Sequence, residues 1–161
     1  EMVGIAHAHR PHACCLVPEH RREVTTEGGL DVAGQTDTLR PAIAALSAAG
    51  IRVSLFIDPD PRQLEASAAV GAAVVELHTG AYAEGRPGEL DRLRAAAAQT
   101  TGLGLECHAG HGLTFDNVIP VAALPEVKEL NIGHYLIGQA ILDGLPATIR
   151  RMKELIAQAR R

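Results

Sequence analysis

The chain has 161 residues, 47% hydrophobic and only 2% aromatic, enough to bury one sizeable core without calling for a second domain. Alanine, valine, leucine and isoleucine dominate, as in proteins built from buried parallel strands and closely packed helices. The formal net charge is -4, and no stretch concentrates lysine and arginine on the scale a nucleic-acid backbone demands, so no nucleic-acid partner is expected.

Cys14, Cys15 and Cys107 lie in apolar runs without zinc spacing or a disulfide framework, which predicts reduced, buried thiols. No apolar run reaches membrane-spanning length and no leader pattern opens the chain, so the expected address is the cytosol, with no membrane partner.

In chain order, residues 2–9 read as the end of a helix whose start lies before Glu1, which suggests a truncated chain. His12 to Val17 predicts a first strand, too short for a helix and apolar enough for burial on both faces. Residues 18–34 are polar and glycine-bearing, a candidate lid in which Thr25 and Thr26 offer hydroxyls to a substrate oxygen; simple solvation is the plainer reading. Thr36 or Asp37 can cap a helix with Leu39, Ile43, Ala44 and Leu46 on one face, stopping at Gly50. Ile51–Ile57 is the second strand, and Asp60-Pro61 is a cap followed by a first-turn proline, opening a helix that ends at Gly71.

Ala72–His78 predicts the third strand, 79–88 a glycine-rich loop, and Glu89–Thr101 a helix closing at Gly102. Leu103–Cys107 is then the fourth strand, leading into a turn, His108-Ala-Gly-His-Gly-Leu-Thr114, that carries two histidines. A short helix at 116–123, a fifth strand at Val127–Ile132, and two helical stretches separated near Gly144 complete the chain. Five strand–helix alternations imply a parallel sheet with helices outside. An open sheet and a TIM-type barrel both fit. Polar residues gathered at the carboxyl ends of strands favour the barrel, and five units make only part of one.

The candidate chemistry sits at those strand ends. His111, between Gly110 and Gly112, suits a general acid, against the alternative of a turn histidine bonding its own backbone. Glu76 interrupts an apolar strand, where an unpaired carboxylate is costly to bury; alternation puts it on one side with His78. It can stabilise developing positive charge or hold a proton, or it can be half of a structural ion pair. Gly133-His134 precedes a helix whose amides would suit a phosphate, with Gly112 as a further contact; a plain helix start is the alternative. Glu76, His78, His108 and His111 could instead ligate a metal in a barrel lyase or isomerase, but no dedicated metal spacing appears.

Five segments in order carry a resemblance: Cys14-Cys-Leu-Val-Pro-Glu19, the stretch 23–34, Val75-Glu-Leu-His-Thr-Gly80, Ala109-Gly-His-Gly-Leu-Thr114 and Glu129-Leu-Asn-Ile-Gly-His134. Along its whole length the chain resembles the pyridoxine 5'-phosphate synthase family. The resemblance implies an eight-stranded barrel, a homo-oligomer, no cofactor and no metal. The implied reaction joins 3-amino-2-oxopropyl phosphate to 1-deoxy-D-xylulose 5-phosphate by acid–base catalysis. It gives His111 the part of proton donor, Glu76 that of transition-state stabiliser, and Thr25 a contact to the deoxyxylulose phosphate. Gly112, Gly133 and His134 match contacts to the aminoketone phosphate, and His108 is given no part. Family chains hold three further strand–helix units before this point, with a basic histidine, a basic glutamate and an arginine. The expectation is that residues 1–161 alone do not turn over substrate. A non-catalytic phosphate-binding module is the reading from a different class.

Overall fold

The computed structural model describes residues 2–18 and 28–161. Five strands, Ala13–Leu16 (β1), Arg52–Ile57 (β2), Val74–His78 (β3), Glu106–Gly110 (β4) and Val127–Asn131 (β5), form one sheet. All are parallel and ordered as they occur in the chain. A sheet wound in one direction has no point where strand order reverses, which sets it apart from the open doubly wound arrangement and makes it an arc of a barrel.

The helices connecting these strands are Thr36–Ala48 (α2), Pro61–Ala69 (α3), Gly80–Ala83 (α4), Glu89–Gly102 (α5) and Val118–Ala122 (α6). Met2–His9 (α1) precedes the sheet, and His134–Asp143 (α7) and Leu145–Ala159 (α8) follow it. Asp60 caps α3, its carboxylate accepting from the Arg62 amide at 2.8 Å, with Pro61 at the first helical position. Pro41 is accommodated inside α2, and the buried residues of that helix are Ile43 and Leu46; Ala44 is exposed. The polar 79–88 loop contains the one-turn α4.

The two faces of the sheet differ in kind. Val53, Leu55, Ile57, Val75, Leu77, Cys107 and Ala109 point outward and are buried beneath Ile43, Leu46, Leu64, Leu93 and Ala97 of the helices. The other face carries the polar side chains of the sheet among its cross-strand pairs: Cys15 with Ser54, Phe56 with Glu76, Glu76 with His108, and Gly110 with Asn131. A bulge in the β4–β5 pairing sets Cys107 opposite Val127 but His108 opposite Glu129, leaving Lys128 unmatched. That extra residue turns Glu129 and Asn131 onto the inner face while Val127 stays in the core.

β4 begins three residues later than the sequence pattern suggests. α5 runs through Gly102, its last residue; the chain then turns at Leu103 and Gly104, the latter at φ +76°, and β4 follows from Glu106. His108 is consequently a buried strand residue, and the turn starts only at His111.

Candidate active site

Phe56, Glu76, His111, Asn131 and Gly133 come from the ends of β2, β3, β4 and β5 and line one cavity of about 610 Å³. Cys15, Gly112, Thr114, His134 and Tyr135 complete much of its wall. Four strand ends therefore converge on one volume, at the edge where parallel sheets present loops and helix starts.

Glu76 rises from the inner face of β3. Burial pushes its carboxyl above the usual range, while His108, Asn131 and Cys15 pull it back. The Cys15 thiol lies 3.8 Å from Oε2 and donates to it; desolvation and the neighbouring carboxylate push that thiol up to about 12, so it stays protonated. Gly110 is required here by contact, because a Cβ at that position would stand 2.4 Å from Glu76 Oε1.

His111 has φ +84°, in the left-handed region that residues other than glycine rarely occupy. Gly112 continues the turn at φ +75°, whereas Gly110 belongs to β4. Thr79 holds the turn from below, its hydroxyl reaching the carbonyls of both Gly110 and His111. From the other side, Asn117 Oδ1 accepts from the Thr114 amide at 2.7 Å and Nδ2 donates to the Gly112 carbonyl at 3.2 Å. Tyr82 anchors Asn117 through a 2.8 Å bond to its carbonyl. Strain at a braced residue of this kind points to function. Desolvation lowers the His111 pKa below the ordinary imidazole value, and His78 and His134 lower it further.

Across the cavity, Gly133 is the N-cap of α7 and His134 its first residue, with no side chain capping the helix start. The free amides and the partial positive charge of a helix N-terminus suit an anionic group. Glu76, His111, Gly112, Gly133 and His134 are thus brought together; Thr25, with residues 19–27 of the candidate lid at 18–34, lies outside the described residues.

His108 is separate from the two-histidine turn in which the sequence placed it. Its Nε2 meets Glu106 at 2.8 Å and its Nδ1 lies 3.6 Å from Glu129; Glu106 in turn pairs with Arg52 at 2.8 Å. The Arg52 guanidinium and His108 hold the Glu106 carboxyl down at about 2. His78 turns to Asp58, and among the described residues no three His, Cys, Asp or Glu side chains converge as metal ligands. The thiols also differ from expectation: Cys107 is buried, but Cys14 is only half-buried and Cys15 is exposed toward the cavity, because β1 lies at the edge of the sheet.

Asp58, Asn117 and the Arg52–Glu106 pair escaped sequence reasoning. Asp58 was visible as a polar residue at a strand end, but nothing local tied it to His78. Among the described residues no helix is long and apolar enough to cross a membrane.

Residues 1–158 match the family described as "Pyridoxal phosphate biosynthesis protein PdxJ". Three similar proteins are each named pyridoxine 5'-phosphate synthase. That of Gluconobacter oxydans is 66% identical over 97% of this chain and 67% of its own length. The Zymomonas mobilis protein is 60% identical over 99% of this chain and 64% of its own length. The Rhodospirillum rubrum protein is 60% identical over 95% of this chain and 64% of its own length. The chain therefore spans about two thirds of the relatives it matches.

Proposed function

The chain belongs to the PdxJ family of pyridoxal phosphate biosynthesis proteins, and on that premise we propose that it carries an acid–base and phosphate-binding part of a pyridoxine 5'-phosphate synthase site. The reaction is the condensation of 3-amino-2-oxopropyl phosphate with 1-deoxy-D-xylulose 5-phosphate, releasing inorganic phosphate and water. Imine formation, phosphate loss, ring closure and dehydration each move protons, so the site needs both a donor and groups that answer the charge it creates.

In this reading His111 is the donor. Its ring lines the cavity, and its depressed pKa makes the charged form, once a proton is taken up, a stronger acid than an exposed imidazole. Glu76 faces the same cavity and stabilises positive charge that develops on the condensing nitrogen, an attraction strengthened by its partial burial. Gly112, Gly133 and His134 hold the aminoketone phosphate against the first turn of α7, and Thr25 contacts the other phosphate. The observation that carries the proposal is the meeting of acid, carboxylate and helix N-terminus around one cavity. A cytosolic address and assembly from several copies accompany the family reading; the exposed apolar face of α7 supports the second.

Calorimetry with 3-amino-2-oxopropyl phosphate tests the phosphate site directly. Binding is expected, inorganic phosphate should compete, and His134→Ala should weaken it about tenfold, the loss of roughly one charge-assisted hydrogen bond. Absence of binding to the unmodified chain would overturn the proposal.

A further inference from the structure

Behind His111, on the side away from the cavity, lies a histidine that none of the proposed steps uses. His78 ends β3, and its side chain is 9% exposed. Its Nδ1 lies 3.1 Å from Asp58 Oδ1 at the end of β2, and the same oxygen accepts from the Gly29 amide at 3.3 Å. An ionised carboxylate only accepts, so in the neutral ring the proton sits on Nδ1 and Nε2 carries a lone pair. That Nε2 is buried and has no hydrogen-bond partner among the described residues.

What surrounds Nε2 narrows its purpose. Phe56 packs edge-on at 5.0 Å between ring centroids and offers no polar atom. Gly80 offers no side chain, and any Cβ there would stand 2.7 Å from His78 Nε2 and 3.3 Å from His111 Cδ2, so glycine leaves the space between the two imidazoles clear. The His111 ring is in contact, with centroids 4.7 Å apart and planes inclined by 59°. A buried imidazole nitrogen left unpaired is costly, and His111 is the neighbour able to relieve it by turning about its side-chain torsions.

We propose that His78 is a positioning residue for His111, held by Asp58 so that its Nε2 accepts the ring N–H of His111 when that ring turns toward it, in the free chain as well as during the reaction. Protonated His111 carries two N–H groups. With one held by His78, the other faces the cavity and is the proton donated to substrate; the neutral ring then keeps the inner N–H and presents a lone pair outward. Asp58, with a side chain 48% exposed, anchors the row from the solvent side. This deepens the reading of His111 as donor and rests on it.

The test is ring-nitrogen NMR on the purified 161-residue chain, above the pH range where imidazoles titrate. His78 should carry its proton on Nδ1, and His111 should show one dominant tautomer. His78→Gln, which returns an acceptor oxygen, should keep that tautomer. His78→Phe, which keeps a ring against Phe56 without a lone pair, should lose it, and Asp58→Ala should leave His78 itself as a mixture. A wild-type His78 protonated on Nε2, or an unchanged His111 tautomer in His78→Phe, overturns the proposal. If His78→Phe fails to fold, the unmodified chain and Asp58→Ala still decide. Because the measurement reads ring nitrogens and needs no turnover, its failure is distinct from failure of the synthase reading, which ligand binding judges.

Discussion

A histidine that is costly to charge must reveal itself in its titration. His111 is driven down by desolvation first, then by His78 and His134. A folded-state pKa below the unfolded value means that the unfolded chain binds more protons in between. This contribution to stability is therefore complete above the ordinary imidazole value of 6.5 and is lost as pH falls through and below it. NMR titration should place the His111 midpoint below that value, and His111→Gln should flatten this limb of the stability–pH curve. Glu76 has the opposite sign. Its raised pKa gives a contribution that is full below the unfolded value of 4.5 and lost as pH rises through the folded one. Glu76→Gln should accordingly melt higher than the unmodified chain at pH 7 in calorimetric scans. A melting point lowered by that change would mean that the carboxylate is a structural ion-pair partner instead.

Local chemistry decided the start of α3, whereas the Thr36 or Asp37 cap expected for α2 does not form: Gln35 is its N-cap, with no side-chain bond. Asp60 and Pro61 start α3 by direct means, a carboxylate bonded to a first-turn amide and a ring already at helical φ. Asp60→Ala should cost about 1 kcal/mol in urea unfolding, with the slope unchanged. The start of β4 was less legible. A glycine after an alanine-rich helix reads as its end, yet Gly102 remains helical and Gly104 makes the left-handed turn. Both glycines satisfy local rules, and the pairing of Glu76 with His108 is what distinguishes them. The β5 bulge is likewise invisible beforehand. Nothing in Val127-Lys-Glu-Leu-Asn131 announces that Lys128 will be left unmatched, and that mismatch brings Asn131 to the cavity.

At the scale of the molecule, five strands describe an arc whose edges are β1 and β5. Strand edges and apolar surface promote association. Ile141 and Leu142 on α7 are 83% and 79% exposed, and Ile137 beside them is exposed as well. Sedimentation of the 161-residue chain should show species larger than a monomer, and Ile141→Asp combined with Leu142→Lys should shift the distribution downward; a wild-type monomer would count against this. The outer layer should behave as an ordinary core. Leu55→Ala, at a fully buried position of β2, should cost about 2–5 kcal/mol by chemical denaturation.

The order of strands and helices, the candidate roles of Glu76 and His111, and the helix start at Gly133-His134 were legible in the chain itself. They depend on short-range properties: alternation, caps, glycine punctuation, and a carboxylate in an apolar run. Motif resemblance supplied the family. Tertiary structure decided what lies opposite what. It took His108 out of the turn and set it between Glu106 and Glu129, joined Asp58 to His78 across two strand ends, and used Asn117 to brace the His111 turn. Those contacts follow from strand register and from closure of separate loops on one another, and spacing along a single chain contains neither.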